Sequence, residues 1–569
     1  MDTDLLDRLR DDLSAAEYRT DTIGALLGSA ADAARERGVF AAARRVLAQR
    51  PSSSLSALTR LFLLGEAVAR TELERALPSL RARGALELGL VEIRSHGVEE
   101  GVDGVDGEAD EDIEAGEDGE ATFRAAVSLN PVRIEDDARF GPPQHWWIIS
   151  DLDDQLRGGP ARPDHVMGVG GATRSLIGQL PPERVSHALD LGTGCGVVAL
   201  HLALRGPTIA TDISERALRF ARMNAALNGL DRAIEFRRGD LFEPVAGERF
   251  ALIASNPPFV ITPRGAGPAD ANAASAVGTT GDGAPADEPP VFTYRDGGRV
   301  GDALARAVVR AAPAHLAPGG SFVGLANWEA PWGVSGLARV GEWVSEAAEE
   351  HGPLEAWVIE RDLIDPADYA EVWARDGGSR PGSDEFEAFV RRSLDDFAAR
   401  RIVAIGLGSV RMRRVPPGEG ETGAGADAPE RARVRAEHAT GPYASGERLG
   451  ASFSRTFAEA TAAARMSDAE ILAAHWLRAP DTTEVRAHTP GEEQPRSIEL
   501  VSEAPILRRV DADTLRAAAF GACDGDLSLE RIAGALATLL DVDAAAVATA
   551  LVEDVRELTW LGLLSRRAQ

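Results

Sequence analysis

Not one lysine occurs in these 569 residues, so all 61 basic side chains are arginine. That absence excludes Schiff-base chemistry and every other step that needs a lysine amine. Cysteine is almost as scarce. Cys195 and Cys523 stand far apart, with the spacing of neither a disulfide framework nor a metal site. A reducing, cytoplasmic setting is therefore expected. Long apolar runs are missing too, so nothing reads as a bilayer span, and the acidic start MDTDLLDRLRDD is unlike a secretory or transit signal. Positive charge is short overall: 90 acids leave a net charge of −29, which argues against a nucleic-acid footprint. The imbalance is local. Residues 99–120 hold 12 acids and no base, whereas residues 151–345 carry 18 arginines against 21 acids. The acidic stretch has nothing to bury and is expected to stay solvated and disordered.

What the chain does have is 44% hydrophobic residues, enough for cores, and a length that calls for two to four domains. The densest information lies between Leu189 and Phe259. Ala188-Leu189-Asp190-Leu191 reads as a strand, Gly192-Thr193-Gly194-Cys195-Gly196 as a tight turn, and Val197 to Leu202 as the start of a helix. Alternating glycines permit positive φ and leave no Cβ between backbone and ligand. The GxGxG spacing differs from the GxGxxG of dinucleotide folds and suits a nucleoside with an amino-acid tail. Asp212 ends a second strand 22 residues after Asp190, where a carboxylate can accept both ribose hydroxyls. Asp212 can also be read as a helix cap, but Ser214 is the better one. Asp240 follows a third short strand and can accept from an adenine amino group, with Leu241 against the ring face. Cys195 is expected to be a packing residue.

A fourth strand, Ala251-Leu252-Ile253-Ala254, runs into Ser255-Asn256-Pro257-Pro258-Phe259. Two prolines stop the strand and leave nearby carbonyls without local N–H partners. Those carbonyls and the Asn256 side-chain oxygen can accept from a planar NH2 and localise its lone pair, while Phe259 stacks on a flat substrate. Any one of these pieces alone is a turn with a packing residue; their order and spacing describe one site for an adenosine-containing cofactor.

In combination the segments resemble the class I S-adenosylmethionine-dependent methyltransferases, in particular the small-domain, HemK-like branch. Asp190 to Gly196 resembles its glycine loop, Asp212 and Asp240 its ribose and adenine acids, and Asn256-Pro257-Pro258-Phe259 its (N/D)PP(Y/F) motif. Tyr294-Arg295-Asp296-Gly297-Gly298 and Leu316 to Val323 look like its late segments. The resemblance covers roughly residues 166–414. It implies an α/β, Rossmann-like domain with a mostly parallel seven-stranded sheet and S-adenosylmethionine as cofactor. It places Asp190, Gly192, Thr193, Gly194, Gly196, Asp212, Asp240, Leu241 and Asn256 around the cofactor, and Asn256, Pro257, Pro258 and Phe259 at the reacting nitrogen. Members methylate glutamine amides in release factors, adenine N6 or guanine N2. Phe259 followed by Val260 departs from the NPPY form usual in the glutamine enzymes. An exocyclic amine of an RNA base is therefore the first expectation, a protein glutamine amide the second, and a cofactor-binding interaction protein without turnover the third.

Around this domain the chain divides further. Residues 1–97 alternate helical stripes with short breaks and resemble a winged helix, with the acidic insertion at 98–121 and a wing strand resuming at 122 in a connection that runs to 165. Trp146 and Trp147 in that connection are expected to be core anchors, and the glycines of residues 168–171 suit a loop folding over the cofactor. The methyltransferase-like domain spans 166–415, interrupted by an Ala/Gly/Pro/Asp-rich loop at 264–290 that is expected to be disordered and to border the substrate entrance. Its last strand, 402–412, is expected at the antiparallel edge. Residues 416–449 read as a linker, and 450–569 as a largely helical, winged-helix-like unit.

Overall fold

The computed structural model describes residues 2–94, 121–134, 144–153, 155–157, 162–264, 297–417, 432–444 and 449–567. The acidic stretch and nearly all of the loop at 264–290 lie outside the described residues, as do Tyr294, Arg295 and Asp296.

The central sheet grows from four short strands: β1 (Ala188–Leu191), β2 (Thr208–Asp212), β3 (Ile234–Arg238) and β4 (Phe250–Ser255). Every residue of β1 is buried, which is the pattern of a strand covered on both faces. Helix α1 (Gly171–Gln179) precedes it, α2 (Val197–Ala203) links β1 to β2, and α3 (Glu215–Leu227) links β2 to β3. Three longer strands follow, β5 (Leu316–Pro331), β6 (Leu354–Ile364) and β7 (Ile402–Arg414), and then β8 (Ala432–His438). Their order is β8-β6-β7-β5-β4-β1-β2-β3. β1 pairs in parallel with both β2 and β4, so the chain runs outward in opposite directions from that point. A crevice at the carboxyl ends of β1 and β4 is the usual place for a ligand in such a sheet.

The α/β, Rossmann-like expectation stands, with three corrections. The sheet has eight strands rather than seven. β7 is antiparallel, as expected, but is inserted between β5 and β6 rather than lying at the edge. The segment read as a linker at 416–449 contains β8, which pairs in parallel with β6 and takes the edge position. Its sequence, Ala-Arg-Val-Arg-Ala-Glu-His, alternates small apolar and charged side chains and is surrounded by Pro and Gly, so composition masked a strand whose Ala432 and Val434 pack against the core beneath the helix Gly336–His351.

In the N-terminal unit a short strand stands where a turn was expected between the first helices. A helical segment (Ser54–Leu58, Thr59–Leu63), a strand (Val68–Ala69), two helices (Arg70–Ala76, Arg81–Glu87) and a strand (Val91–Arg94) are completed by Thr122–Ala125, which pairs antiparallel with both strands. The single wing strand expected over 122–134 is broken. Ser128–Ile134 turns away to form a two-stranded ribbon with Gln144–Ser150. This ribbon straps the unit to α3. Asn224 Oδ1 accepts from Ile149 N at 2.8 Å, Asn228 Oδ1 accepts from Trp147 N at 3.0 Å, and the Trp147 indole donates to the Tyr18 carbonyl at 2.7 Å. Trp146 and Trp147 are buried core anchors, and one continuous apolar core runs from Leu5 through Trp146 to Leu252.

The C-terminal unit corrects the largely helical expectation, since six strands accompany its helices among the described residues. Thr514–Ala522, Asp524–Ser528, Leu529–Leu540, Ala544–Trp560 and Leu564–Arg566 repeat the helix, strand, helix, helix, strand order of the N-terminal unit. The central strand of the three comes from upstream, His475–Arg478, where the N-terminal unit draws its own from downstream. A separate antiparallel meander, Thr483–His488, Pro495–Ser502 and Arg508–Ala512, is inserted between. Helix α4 (Leu449–Arg465) lays Phe453 and Phe457 against Trp357 of β6, joined by Trp560. Ion pairs reinforce the contact: Arg465 with Glu355 at 2.9 Å, Arg508 with Glu437 at 2.7 Å and Arg435 with Glu557 at 2.7 Å.

Candidate active site

The turn after β1 is shaped by what lies beneath it. Gly192, Gly194 and Gly196 all have positive φ, at 78°, 55° and 87°. A Cβ added at Gly196 would sit 2.8 Å from that of Ala221, so this glycine lets α2 approach α3. At Gly192 and Gly194 an added Cβ would meet nothing within 4 Å. Those two positions face open space, which is the condition for a ligand to lie on bare backbone.

Asp190 is 1% exposed and does not face that space directly. Its Oδ2 accepts from the Thr193 hydroxyl at 2.6 Å. Burial pushes its carboxyl up to about 7, the neighbouring charge of Asp212 adds to this, and the bonds from Thr193 and the Ala199 backbone oppose it. The backbone amides of Gly192 and Thr193 donate to the Thr211 carbonyl at 3.0 and 2.9 Å, tying the turn to the end of β2.

Asp212 is half-buried and has a role that its position in the sequence did not reveal. Oδ2 accepts from Gly194 N and Oδ1 from Ser214 N, both at 2.9 Å. It therefore clamps the glycine turn across the crevice, and burial raises its pKa despite those two donors. Ser214 is the N-cap of α3, accepting from Ala217 N at 3.2 Å. Asp240 stands in the turn after β3, with the guanidinium of Arg299 at 3.6 Å. Leu241 beside it has a φ of 45°, a left-handed conformation that a leucine adopts at a cost.

β4 ends one strand away from β1. The Ser255 hydroxyl donates to the Leu191 carbonyl at 2.9 Å, fastening the two strand ends together. Asn256 follows immediately. Its Nδ2 donates to Thr173 Oγ1 of α1 at 3.2 Å, while Oδ1 is buried and, among the described residues, accepts from nothing. A buried amide oxygen without a donor is costly unless a ligand supplies one. Pro257 is buried, and Pro258 and Phe259 are half-buried. Gly297, at φ +56, packs on Pro258: an added Cβ would come within 3.3 Å of the proline Cγ and 2.5 Å of Leu304. Beyond Phe259, Ile261 N and the Asn327 amide both donate to the Tyr369 hydroxyl at 2.9 Å.

The structure thus joins Asp190, Gly192, Thr193, Gly194, Gly196 and Asp212 by hydrogen bonds at the carboxyl ends of β1 and β2, with Asn256 beside them at the end of β4 and bonded to Thr173 instead, and Asp240 and Leu241 in the turn after β3. Thr173, Tyr369, Asn327 and Arg299 were missed from the sequence. Thr173 had a signal, since it closes the glycine-rich loop at 168–171. The other three carry none, because their partners are set by tertiary contacts. Cys195 is buried, and burial pushes its thiol up to about 11, in keeping with packing. No group of His, Cys, Asp and Glu among the described residues is arranged to hold a metal ion, and no described helix is long and apolar enough to cross a membrane.

Residues 167–266 match the family described as the methyltransferase small domain, and residues 15–101 match a domain of unknown function (DUF7059). A release factor glutamine methyltransferase of Xylella fastidiosa is 38% identical over 165 residues, 28% of this chain and 54% of its own length. The corresponding enzyme of Cereibacter sphaeroides is 39% identical over 177 residues, 30% of this chain and 58% of its own. A ribosomal protein uL3 glutamine methyltransferase of Bradyrhizobium diazoefficiens is 36% identical over 163 residues, 28% and 46%. The chain spans about half the length of these curated relatives. The matched segment holds the glycine turn, both pocket acids and the Asn-Pro-Pro-Phe run.

Proposed function

Starting from that segment, which is a class I S-adenosylmethionine-dependent methyltransferase domain, we propose that this chain methylates a planar side-chain or base nitrogen. The observation that carries the reading is Asn256 Oδ1, buried and unpartnered among the described residues, at the end of β4 beside the open glycine turn. The residues fit the cofactor. Gly192 and Gly194 leave the bare backbone it would lie on, Asp212 keeps lone pairs for the ribose hydroxyls, and Asp240 with Leu241 would hold the adenine. Asp190 acts from below, through Thr193. When bound, S-adenosylmethionine supplies a methyl group already activated by its sulfonium.

The chain's own contribution is alignment. Asn256 Oδ1 and the Pro257 carbonyl accept the two N–H bonds of the substrate nitrogen and turn its lone pair out of conjugation, and Phe259 stacks on the flat group behind it. The nitrogen's proton leaves to water, and no side-chain base is assigned. Catalysis of this kind rests on proximity and orientation.

The relatives favour a glutamine amide of a protein as the substrate, since two are named for release factors and one for ribosomal protein uL3. The RNA base placed first on the strength of Phe259 has no support among them and becomes the second reading. Incubation with radiolabelled S-adenosylmethionine and cell extract separates the two. Label removed by protease and resistant to RNase supports the amide, the converse supports the base, and no transferred label with a folded, cofactor-binding protein overturns the transferase reading.

A further inference from the structure

Asn256 is held from one side only. A primary amide has two orientations that exchange its oxygen and nitrogen, and only one presents Oδ1 to a substrate amine. In that orientation Nδ2 donates to Thr173 Oγ1 at 3.2 Å, which holds the amide in place. Thr173 lies in the first turn of α1, and α1 is itself fastened further along. The Gln179 carbonyl accepts from the buried Arg411 guanidinium of β7 at 2.8 Å. Leu449, the first residue of α4, lies over Gly178 of α1, where an added Cβ would meet its Cδ2 at 3.8 Å. Gly450, in the first turn of α4, lies so close to Leu180 that an added Cβ would sit 1.9 Å from its carbonyl oxygen. The helix that carries Thr173 is therefore wedged between the reacting loop and the C-terminal unit.

We propose, resting on the methyl-transfer reading above, that Thr173 is a positioning residue that holds the Asn256 amide with Oδ1 toward the substrate nitrogen, and that α4 keeps Thr173 in place through α1. The C-terminal unit then has a part in the reaction without touching substrate or cofactor. Its role is to stop α1 from shifting and releasing the amide.

The chain has six asparagines, so selective 15N-asparagine labelling of the full-length protein gives few side-chain signals, and Asn256→Ala identifies the pair that belongs to Asn256. Exchange of those Nδ2 protons with solvent is the first readout. It should be slow in the wild type and in Thr173→Ser, faster in Thr173→Val, and intermediate in Phe453→Leu, which loosens the seat of α4 on Trp357. The second readout is turnover. Thr173→Val should lose about tenfold or more in kcat while its cofactor Kd stays within about twofold, and Thr173→Ser should recover most of the loss. Unchanged amide exchange and kcat in a folded Thr173→Val overturn the positioning role. Unchanged exchange in Phe453→Leu overturns the part given to the C-terminal side. If the wild type transfers methyl to nothing, the transferase reading fails by itself, and the exchange measurement still decides whether Thr173 holds the amide.

Discussion

At the scale of single residues, Asp212 holds the turn, since each of its oxygens accepts one backbone N–H, from Gly194 and from Ser214, and under the proposed function it also receives the cofactor's ribose. Asp212→Ala should therefore weaken cofactor binding by ~1.5–3 kcal/mol, the loss expected for hydrogen bonds to a charged group, and should also speed hydrogen exchange at Gly194; calorimetry and exchange read the two effects separately. Asn256→Ala should leave cofactor affinity within a few-fold and cut turnover on the order of 10²-fold, because it removes alignment rather than binding; single-turnover kinetics checks it. Asp190 predicts a pH dependence. Its carboxyl is raised from 3.8 to about 7 by burial, so the folded chain keeps a proton that the unfolded chain has lost. This contribution to stability is fully present below the unfolded value and is lost as pH rises toward the folded one. Asp190→Asn resembles the protonated acid at every pH. Its stability relative to wild type should rise between about pH 4 and 7, by up to roughly 4 kcal/mol, and stay level above. Paired thermal melts without cofactor test the slope.

At the scale of elements, the segment after the reacting motif hangs on one hydroxyl. Tyr369 accepts both Ile261 N–H and the Asn327 amide from a fully buried position, and burial raises its own pKa. Tyr369→Phe keeps the shape and strands two buried donors, which should cost about 1–3 kcal/mol. Denaturant unfolding measures the loss, and a KM that rises more than kcat falls would place the damage at the substrate side. This hydroxyl also marks where the sequence stopped being readable. β1 to β4 could be read because each is a short run closed by a turn residue with its own chemistry, and the pocket residues sit in those turns. Apart from its short first strand, the winged order at the N-terminus was legible for the same reason, even across the acidic insertion. β8 was not, since its half-polar pattern becomes a strand only when it pairs with β6 and lays Ala432 and Val434 on the core under the helix Gly336–His351. The position of β7 between β5 and β6 was equally hidden, because pairing order is decided by contacts far apart in sequence. Four of the six C-terminal strands have five residues or fewer, too short to show a period.

At the scale of the whole molecule, the two flanking units are joined to the central domain by different physics. The N-terminal unit shares one apolar core with β1, β2 and β4, so it should melt with the central domain in a single transition. The C-terminal unit has a core of its own and meets the sheet through aromatic rings and ion pairs. Glu437 is the keystone of that contact. It accepts from both sides of the Arg508 guanidinium, at 2.9 and 2.7 Å, and from the Trp357 indole at 2.8 Å. Burial alone would raise its pKa, but Arg508 and Arg435 hold it below the ordinary glutamate value. A depressed carboxylate stabilises the contact above its unfolded pKa and ceases to do so as pH falls through the folded one, so docking should weaken on acidification. Glu437→Gln tests the same contact at neutral pH. It leaves the Arg508 charge buried without its partner, a loss of about 3–5 kcal/mol for such pairs, and it does so far from the glycine turn. Scanning calorimetry should then resolve one transition in the wild type into two in the variant, the C-terminal unit melting first and the N-terminal and central domains still together. A variant that melts in one transition at the wild-type temperature would show that the rings of Trp357, Phe453, Phe457 and Trp560 hold the unit without the ions. Two transitions in the wild type itself would mean that the C-terminal unit is too loosely docked to steady α1.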